Sequence, residues 1–130
     1  MLHRIQTTKK QQFIDITGTV ANDVKNSNVR NGIAVIYVPH TTAGVTINEN
    51  ADPDVVRDII STLDKTYPVN GDYRHFEGNS HAHIKASLMG SSCTVIIQDG
   101  RLMLGTWQGI YFCEFDGPRA REFYLKIIEG

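Results

Sequence analysis

The sequence lacks the features that mark several whole classes of protein. Its 13 Lys and Arg nearly balance 14 Asp and Glu, for a formal net charge of −1, and Lys9-Lys10 is its one adjacent basic pair. A nucleic-acid binder would normally show a basic face, so no nucleic-acid partner is expected. No apolar run is long enough to cross a bilayer; the longest, Ile33 to Val38, has the length of a buried strand. Met1 to Lys10 alternates apolar and polar residues without the apolar centre of a signal peptide, so the expected compartment is the cytosol, with no membrane partner. Cys93 and Cys113 are the only cysteines and have no CxxC spacing. They read as reduced, buried thiols and not as a disulfide or a nucleophile. Low-complexity tracts, repeats and Pro/Gly-rich linkers are absent, so residues 1–130 read as a single domain. At 130 residues the chain is too short for an eight-fold β/α barrel, which needs about 200 or more.

What is present is an ordinary globular composition, 41% hydrophobic and 21% charged, with enough apolar material for one core. Residues 2–16 read as a hairpin. Thr17 reads as the cap of a helix running to about Ser27, with Val20 and Val24 at i, i+4. Ile33 to Val38 is an apolar strand, and a second strand alternates around Val45, Ile47 and Glu49. Asp52-Pro53 opens a helix, with Asp52 as N-cap and Pro53 at the first position. Its apolar stripe is Val55, Val56, Ile59, Ile60 and Leu63. Tyr67 to Ser80 is a long irregular connection of the kind that often carries function. Ala82 to Met89 has helical composition, and Gly90 stands where a C-cap belongs. Three strands follow, Cys93–Gln98, Leu102–Phe115 and Arg119–Ile128, joined by turns at Asp99-Gly100 and Asp116-Gly117. The fold class is therefore α+β with a mostly antiparallel sheet and two to three helices. Leu102–Phe115 is apolar on both faces, which requires a cover for the second face, either a helix of this chain or another subunit.

Four of the five histidines, His40, His75, His81 and His83, lie in or near loops beyond the first strands. Imidazoles from separate elements are what a zinc-type site with one open position uses; surface or hydrogen-bonded histidines are the alternative. On a helix His81 and His83 diverge, so at most one of them points into a common site. Glu49, close in sequence to His40, is the best candidate for a base, against an ordinary edge charge. Thr41-Thr42 and Ser91-Ser92 offer hydroxyls beside glycines, and Lys85, Arg101, Arg119 and Arg121 offer charge, which together suit a phosphorylated ligand. Gly100 to Gly105 has P-loop glycine spacing, but Thr106-Trp107 follows where Lys-Ser/Thr belongs, so a nucleotide P-loop is rejected. Trp107, flanked by Gly105 and Gly109, reads as core packing before a ligand shelf.

The stretch from Ser92 to Ile110, with Gly105-Thr106-Trp107-Gln108 at its centre, resembles the signature of the YjbQ family, often labelled secondary thiamine-phosphate synthase. Pro39-His40-Thr41-Thr42-Ala43-Gly44, Ile47-Asn48-Glu49-Asn50-Ala51-Asp52 and Ala82-His83-Ile84-Lys85 match its other motifs in the same order. The resemblance implies a sheet curled into a half-barrel and a homotrimer. It also implies a divalent transition metal, zinc or a similar ion, on His40, His75 and His83, with His81 a local variation. The implied activity joins a pyrimidine pyrophosphate to a thiazole phosphate. Glu49 and Lys85 are then the expected catalytic residues, and Thr41, Thr42, Asn48, Arg101 and Gln108 the substrate-binding ones. Two other readings stay open, a metal-dependent hydrolase with Glu49 as base and a trimeric binding protein without turnover.

Overall fold

A computed structural model describes all 130 residues. The element order is β1 (Leu2–Gln6), β2 (Gln12–Asp15), α1 (Thr17–Ser27), β3 (Gly32–Tyr37), β4 (Ala43–Glu49), α2 (Pro53–Thr66), α3 (Ser80–Met89), β5 (Ser92–Gln98), β6 (Arg101–Leu102), β7 (Gln108–Glu114) and β8 (Ala120–Glu129). Every strand pairing is antiparallel, in a five-stranded sheet ordered β1-β8-β3-β5-β6 and a three-stranded sheet ordered β2-β7-β4. Together they make the half-barrel of an α+β fold.

Local signals account for several boundaries. Asp52 caps α2, its Oδ1 accepting the Asp54 N–H at 2.9 Å, and Pro53 follows at the first helical position. α3 ends at Gly90, whose φ of 94° is a conformation that disfavours side chains. Asp99 and Gly100 both take positive φ and turn β5 into β6.

Residues 2–16 are not a hairpin. β1 pairs with β8 and β2 pairs with β7, so the chain changes sheet between the first two strands. It changes sheet again between β7 and β8, where Asp116-Gly117 makes a crossing and not a hairpin turn. Thr17 is not the cap of α1. Ile16 holds that position, the Thr17 N–H donates to Asp15 Oδ1 at 2.9 Å, and the Thr17 hydroxyl accepts the Ile110 N–H at 2.8 Å. Leu102–Phe115 is not one strand either. After Leu102 the chain leaves the sheet and turns at Gly105, where the Gln108 side-chain oxygen accepts the Gly105 N–H, before β7 begins. Trp107 stands in that turn, 62% exposed, and does not belong to the core. The exposed Met103 and Trp107 mimicked the alternation of a buried strand.

The main core lies between α1 and the two sheets, with Val20, Val24, Ile36, Ile97, Phe112 and Phe123 fully buried or nearly so. Each such aliphatic side chain contributes about 1.5–3 kcal/mol relative to exposure. The opposite face of β7 carries Tyr111 and Cys113, which pack with Phe115 against Ala82 and Ala86 of α3 and Val56 and Leu63 of α2. The second apolar face of β7 is thus covered by helices of the same chain. α2 itself has no fully buried residue.

Candidate functional site

One end of the half-barrel gathers most of the histidines. β3 stops at Tyr37, opposite Tyr124 of β8, and continuing that register would set Pro39 against Glu122. Proline has no N–H to give the ladder. The His40 imidazole takes the vacant place, its Nε2 lying 3.0 Å from the Glu122 nitrogen and 3.1 Å from the Glu122 oxygen. The N–H donates when Nε2 is unprotonated and the carbonyl accepts when it is protonated, so both neutral tautomers are satisfied. Nδ1 is the nitrogen left for a ligand. Burial, and then the charge of Arg121, hold the His40 pKa below the usual histidine value.

α3 crosses this end beside the start of β4. The Val45 N–H donates to the Gly90 oxygen, and the Val38 N–H to the Ser91 oxygen. A side chain at Gly44 would run into the Gly90 backbone, 2.6 Å away, so only glycine admits the helix so near the strand. His83, one turn before Ser87 on α3, therefore faces the cleft that His40 borders. That cleft, of about 520 Å³, is lined by His40, Thr41, His83, Ser87 and Ser91 and carries no acidic residue. On the other flank of His83 a second cleft of about 490 Å³ brings in Arg74, His75 and Ser80. The His75 and His83 rings are 5.5 Å apart and nearly perpendicular. The three expected imidazoles are therefore an adjacent pair with His40 across the cleft, and no group of three ligating side chains is drawn together within the chain. A larger cavity along α2, lined by residues such as Arg57, Ile60 and Asp64, contains no histidine.

Two ion pairs hold this end in place, Arg121–Glu114 sealed in the core and Lys85–Asp64 with its ammonium buried and its carboxylate at the surface. Lys85 is fully buried and does not line the cleft. Its ammonium donates to Asp64 Oδ1 of α2 at 2.5 Å, Gln11 Oε1 at 3.1 Å and His81 Nδ1 at 3.0 Å. Lys85 is accordingly the anchor of α3 and makes no open contact for a substrate. Burial raises the Asp64 carboxyl, but the hydrogen bonds from Lys85 and Gln11 outweigh it and hold its pKa below the usual value. His81, also fully buried, points away from His83 as helical geometry requires. The second pair is Arg121 with Glu114, joined through Nε and Nη2. Arg121 Nη2 also donates to the Thr42 hydroxyl at 2.8 Å, and the Thr7 hydroxyl donates to Glu114 Oε1 at 2.8 Å. Burial would raise the Glu114 pKa; Arg121, Thr7 and the Asp116 N–H hold it low. Thr42 is thus a buried structural hydroxyl, whereas Thr41 is exposed in the cleft.

Asn48, Glu49 and Gln108 stand elsewhere. In the β4–β7 ladder Ala43 faces Glu114 at one end and Glu49 faces Gln108 at the other. The six steps between Ala43 and Glu49 span about 20 Å. Glu49 is near His40 in sequence and a strand's length away in space, so within one chain it is not a base for that cleft. Arg101 is likewise remote, at the tip of the β5–β6 hairpin beside Arg30. Sequence reasoning missed Ser87, which the i, i+4 spacing from His83 could have revealed, and the Asp64 and Gln11 partners of Lys85, which no local pattern marks.

Comparison with known proteins agrees with this fold. The family profile described as "UPF0047 protein YjbQ-like" matches residues 2–130. The chain is 60% identical over 126 residues to UPF0047 protein MJ1081 of Methanocaldococcus jannaschii, covering 97% of this chain and 91% of that one. It is 54% identical to UPF0047 protein YugU of Bacillus subtilis, covering 96% of each. A crystal structure of a conserved YjbQ/UPF0047 family protein from Clostridium acetobutylicum superposes with a TM-score of 0.97 at 62% identity, covering 98% of this chain and 99% of that one. A YbjQ-like protein from Sulfolobus solfataricus superposes with a TM-score of 0.95 at 30% identity, covering 100% and 96%. Matched in sequence and in backbone over nearly its whole length, the chain belongs to the YjbQ-like UPF0047 family.

Proposed function

We propose that the protein is a homotrimeric enzyme acting on a phosphorylated small molecule in the paired clefts around His83. Its reaction is the thiamine-phosphate synthase type, the joining of a pyrimidine pyrophosphate to a thiazole phosphate. The observation that carries this reading is the convergence of His75 and His83 beside His40 and the hydroxyls of Thr41 and Ser91. Two adjacent imidazoles suit zinc or a similar transition metal better than magnesium, which prefers oxygen ligands. His75 and His83 would hold the ion, with His40 on the wall of the cleft that it shares with His83. Such an ion would supply positive charge for a departing pyrophosphate.

The chain's own groups supply the rest. No side chain caps the N-terminus of α3; the Ala82 and His83 N–H groups donate to the Asn79 oxygen, and the N–H groups before them, at the positive end of the helix, would favour a phosphate. Arg74 and Ser80 border the same cleft and offer further donors. Thr41 and Ser91 line the other cleft, where hydroxyls orient a ring substituent without adding charge. The buried Arg121–Glu114 pair and the buried Lys85 ammonium held by Asp64 keep these groups from shifting.

Metal-loaded protein given the two substrates should form thiamine phosphate, and His83→Ala should abolish it while remaining folded by circular dichroism. A wild-type protein that is loaded with zinc, manganese or nickel and forms no product would overturn the reading.

A further inference from the structure

The polar residues picked out by the motifs divide into two sets at opposite ends of the molecule, and each set lacks what the other has. The His40–His83 cleft carries two imidazoles and two Ser/Thr-rich walls but no carboxylate. The far end of the β4–β7 ladder carries Glu49, Asn48 and Gln108, with Asp15 and Asp52 close by and no imidazole. Two independent spans measure the gap. β4 extends about 20 Å from Ala43 to Glu49. α2 begins four residues after Glu49 and delivers Asp64 to Lys85 beneath the cleft, and the eleven steps from Pro53 to Asp64 extend about 17 Å. Neither span can shorten without unfolding its element.

The two surfaces complement each other. The Glu49 end exposes Trp107, a large apolar group whose backbone oxygen accepts the Asn50 N–H one residue past Glu49. The cleft end exposes Leu88, one residue after the cleft-lining Ser87, beside a cleft whose own lining holds imidazoles and hydroxyls; the nearest acids, Glu122 beyond His40 and Glu77 beside His75, stand outside it. Asp72 and Glu77 belong to the loop around His75, on the other flank of His83.

We infer that the site is shared between subunits, with the Glu49–Gln108 end of one copy docking over the His40–His83 cleft of the next. The contact joins unlike surfaces head to tail, and such contacts repeat until they close a ring, as a trimer does. Each ring then holds one composite site per interface. One chain supplies the imidazoles and the phosphate-binding helix end; its neighbour supplies the Glu49 carboxylate and the Asn48 and Gln108 amides. Trp107 seals the junction against water. This inference rests on the trimeric reading above but not on the reaction named there.

Cross-linking tests it. Glu49→Cys and Ser87→Cys are combined in a Cys93→Ser background, leaving only the buried Cys113, and treated with a bis-maleimide shorter than the intrachain span. Covalent dimers and trimers are expected from the double variant, with single chains alone from either single variant. Asn48→Cys replaces Glu49→Cys if the latter fails to fold. Sedimentation showing a monomer would overturn the inference, as would an oligomer that gives no cross-link. Cross-linking of Glu49→Cys alone would overturn it too, because like ends would then meet. If the double variant cross-links but wild type forms no thiamine phosphate, the reaction falls and the shared site stands. Product without cross-linking means that the site lies within one chain.

Discussion

The two ends of the β4–β7 ladder are built on different principles. Beneath the His40 end, charged and polar side chains are taken out of water and paired: Arg121 with Glu114, Thr7 and Thr42 against that pair, and the Lys85 ammonium, which reaches the half-exposed Asp64. At the Glu49 end the polar groups stay in water and are tied by single bonds, such as Asn50 to Asp15 and Gln108 to Gly105. A buried ion pair contributes little net stability compared with apolar residues of the same shape, but it strongly penalises any rearrangement that separates the partners. The His40 end is therefore fixed in place, whereas the Glu49 end is an exposed edge with an unsheltered indole. A fixed cleft and an open, partly apolar rim are what a binding site and a docking surface respectively require.

Removing one partner of the buried pair should break this contrast most severely. Glu114→Ala leaves the Arg121 guanidinium buried without its carboxylate, and the expected cost is about 3–5 kcal/mol in urea unfolding. Glu114→Leu with Arg121→Met should recover most of that loss, because no charge is left stranded. A single variant that unfolds like wild type would show that the pair is not sealed from water.

Acid should weaken the same end in a graded way. The carboxyls of Glu114, Asp64 and Asp116 all have pKa values below their usual ones. In the unfolded chain they titrate near about 4. As pH falls through that range the unfolded state takes up protons that the native state refuses, so the stability these groups provide is present above it and lost below it. Thermal melts should therefore begin to decline below about pH 6.5, where the unfolded chain protonates histidines that the native chain holds neutral at His40 and His81, and fall steeply below about pH 4. Glu114→Leu with Arg121→Met should flatten that decline.

The smallest expected effect is at the other end. Trp107→Ala removes an indole that is 62% exposed, so the unfolding free energy of the dilute single chain should change by no more than about 0.5 kcal/mol. A loss of several kcal/mol, the cost of truncating a core aromatic, would contradict its place in the turn. Because Trp107 is the only tryptophan, its fluorescence sharpens the comparison. The emission should be red-shifted and open to iodide in the dilute chain, and blue-shifted and protected where the docked oligomer forms.

Much of the fold was legible because its signals are local. Asp52-Pro53, Gly90 and Asp99-Gly100 act through their own backbone angles and first hydrogen bonds, so they mean the same thing in any context. The divergence of His81 from His83 follows from helical geometry alone. The set of candidate residues was legible too, through the family motifs, but its arrangement was not. Glu49 lies nine positions from His40 in the sequence, and an extended strand converts part of that short separation into a long distance.

By itself the sequence determined the class of fold, most of the elements and the family. The tertiary structure decided that β1 joins β8 while β2 joins β7, that helices of the same chain cover the second face of β7, and that Trp107 faces solvent. It also placed Lys85, a catalytic candidate in the sequence, as a buried anchor for α3. Caps, turns and periodicity are settled by interactions within a few residues. Strand partners and the burial of a charge are settled by residues scores of positions away, such as Thr7 and Glu114 or Asp64 and Lys85, which meet only when the whole chain has closed on itself.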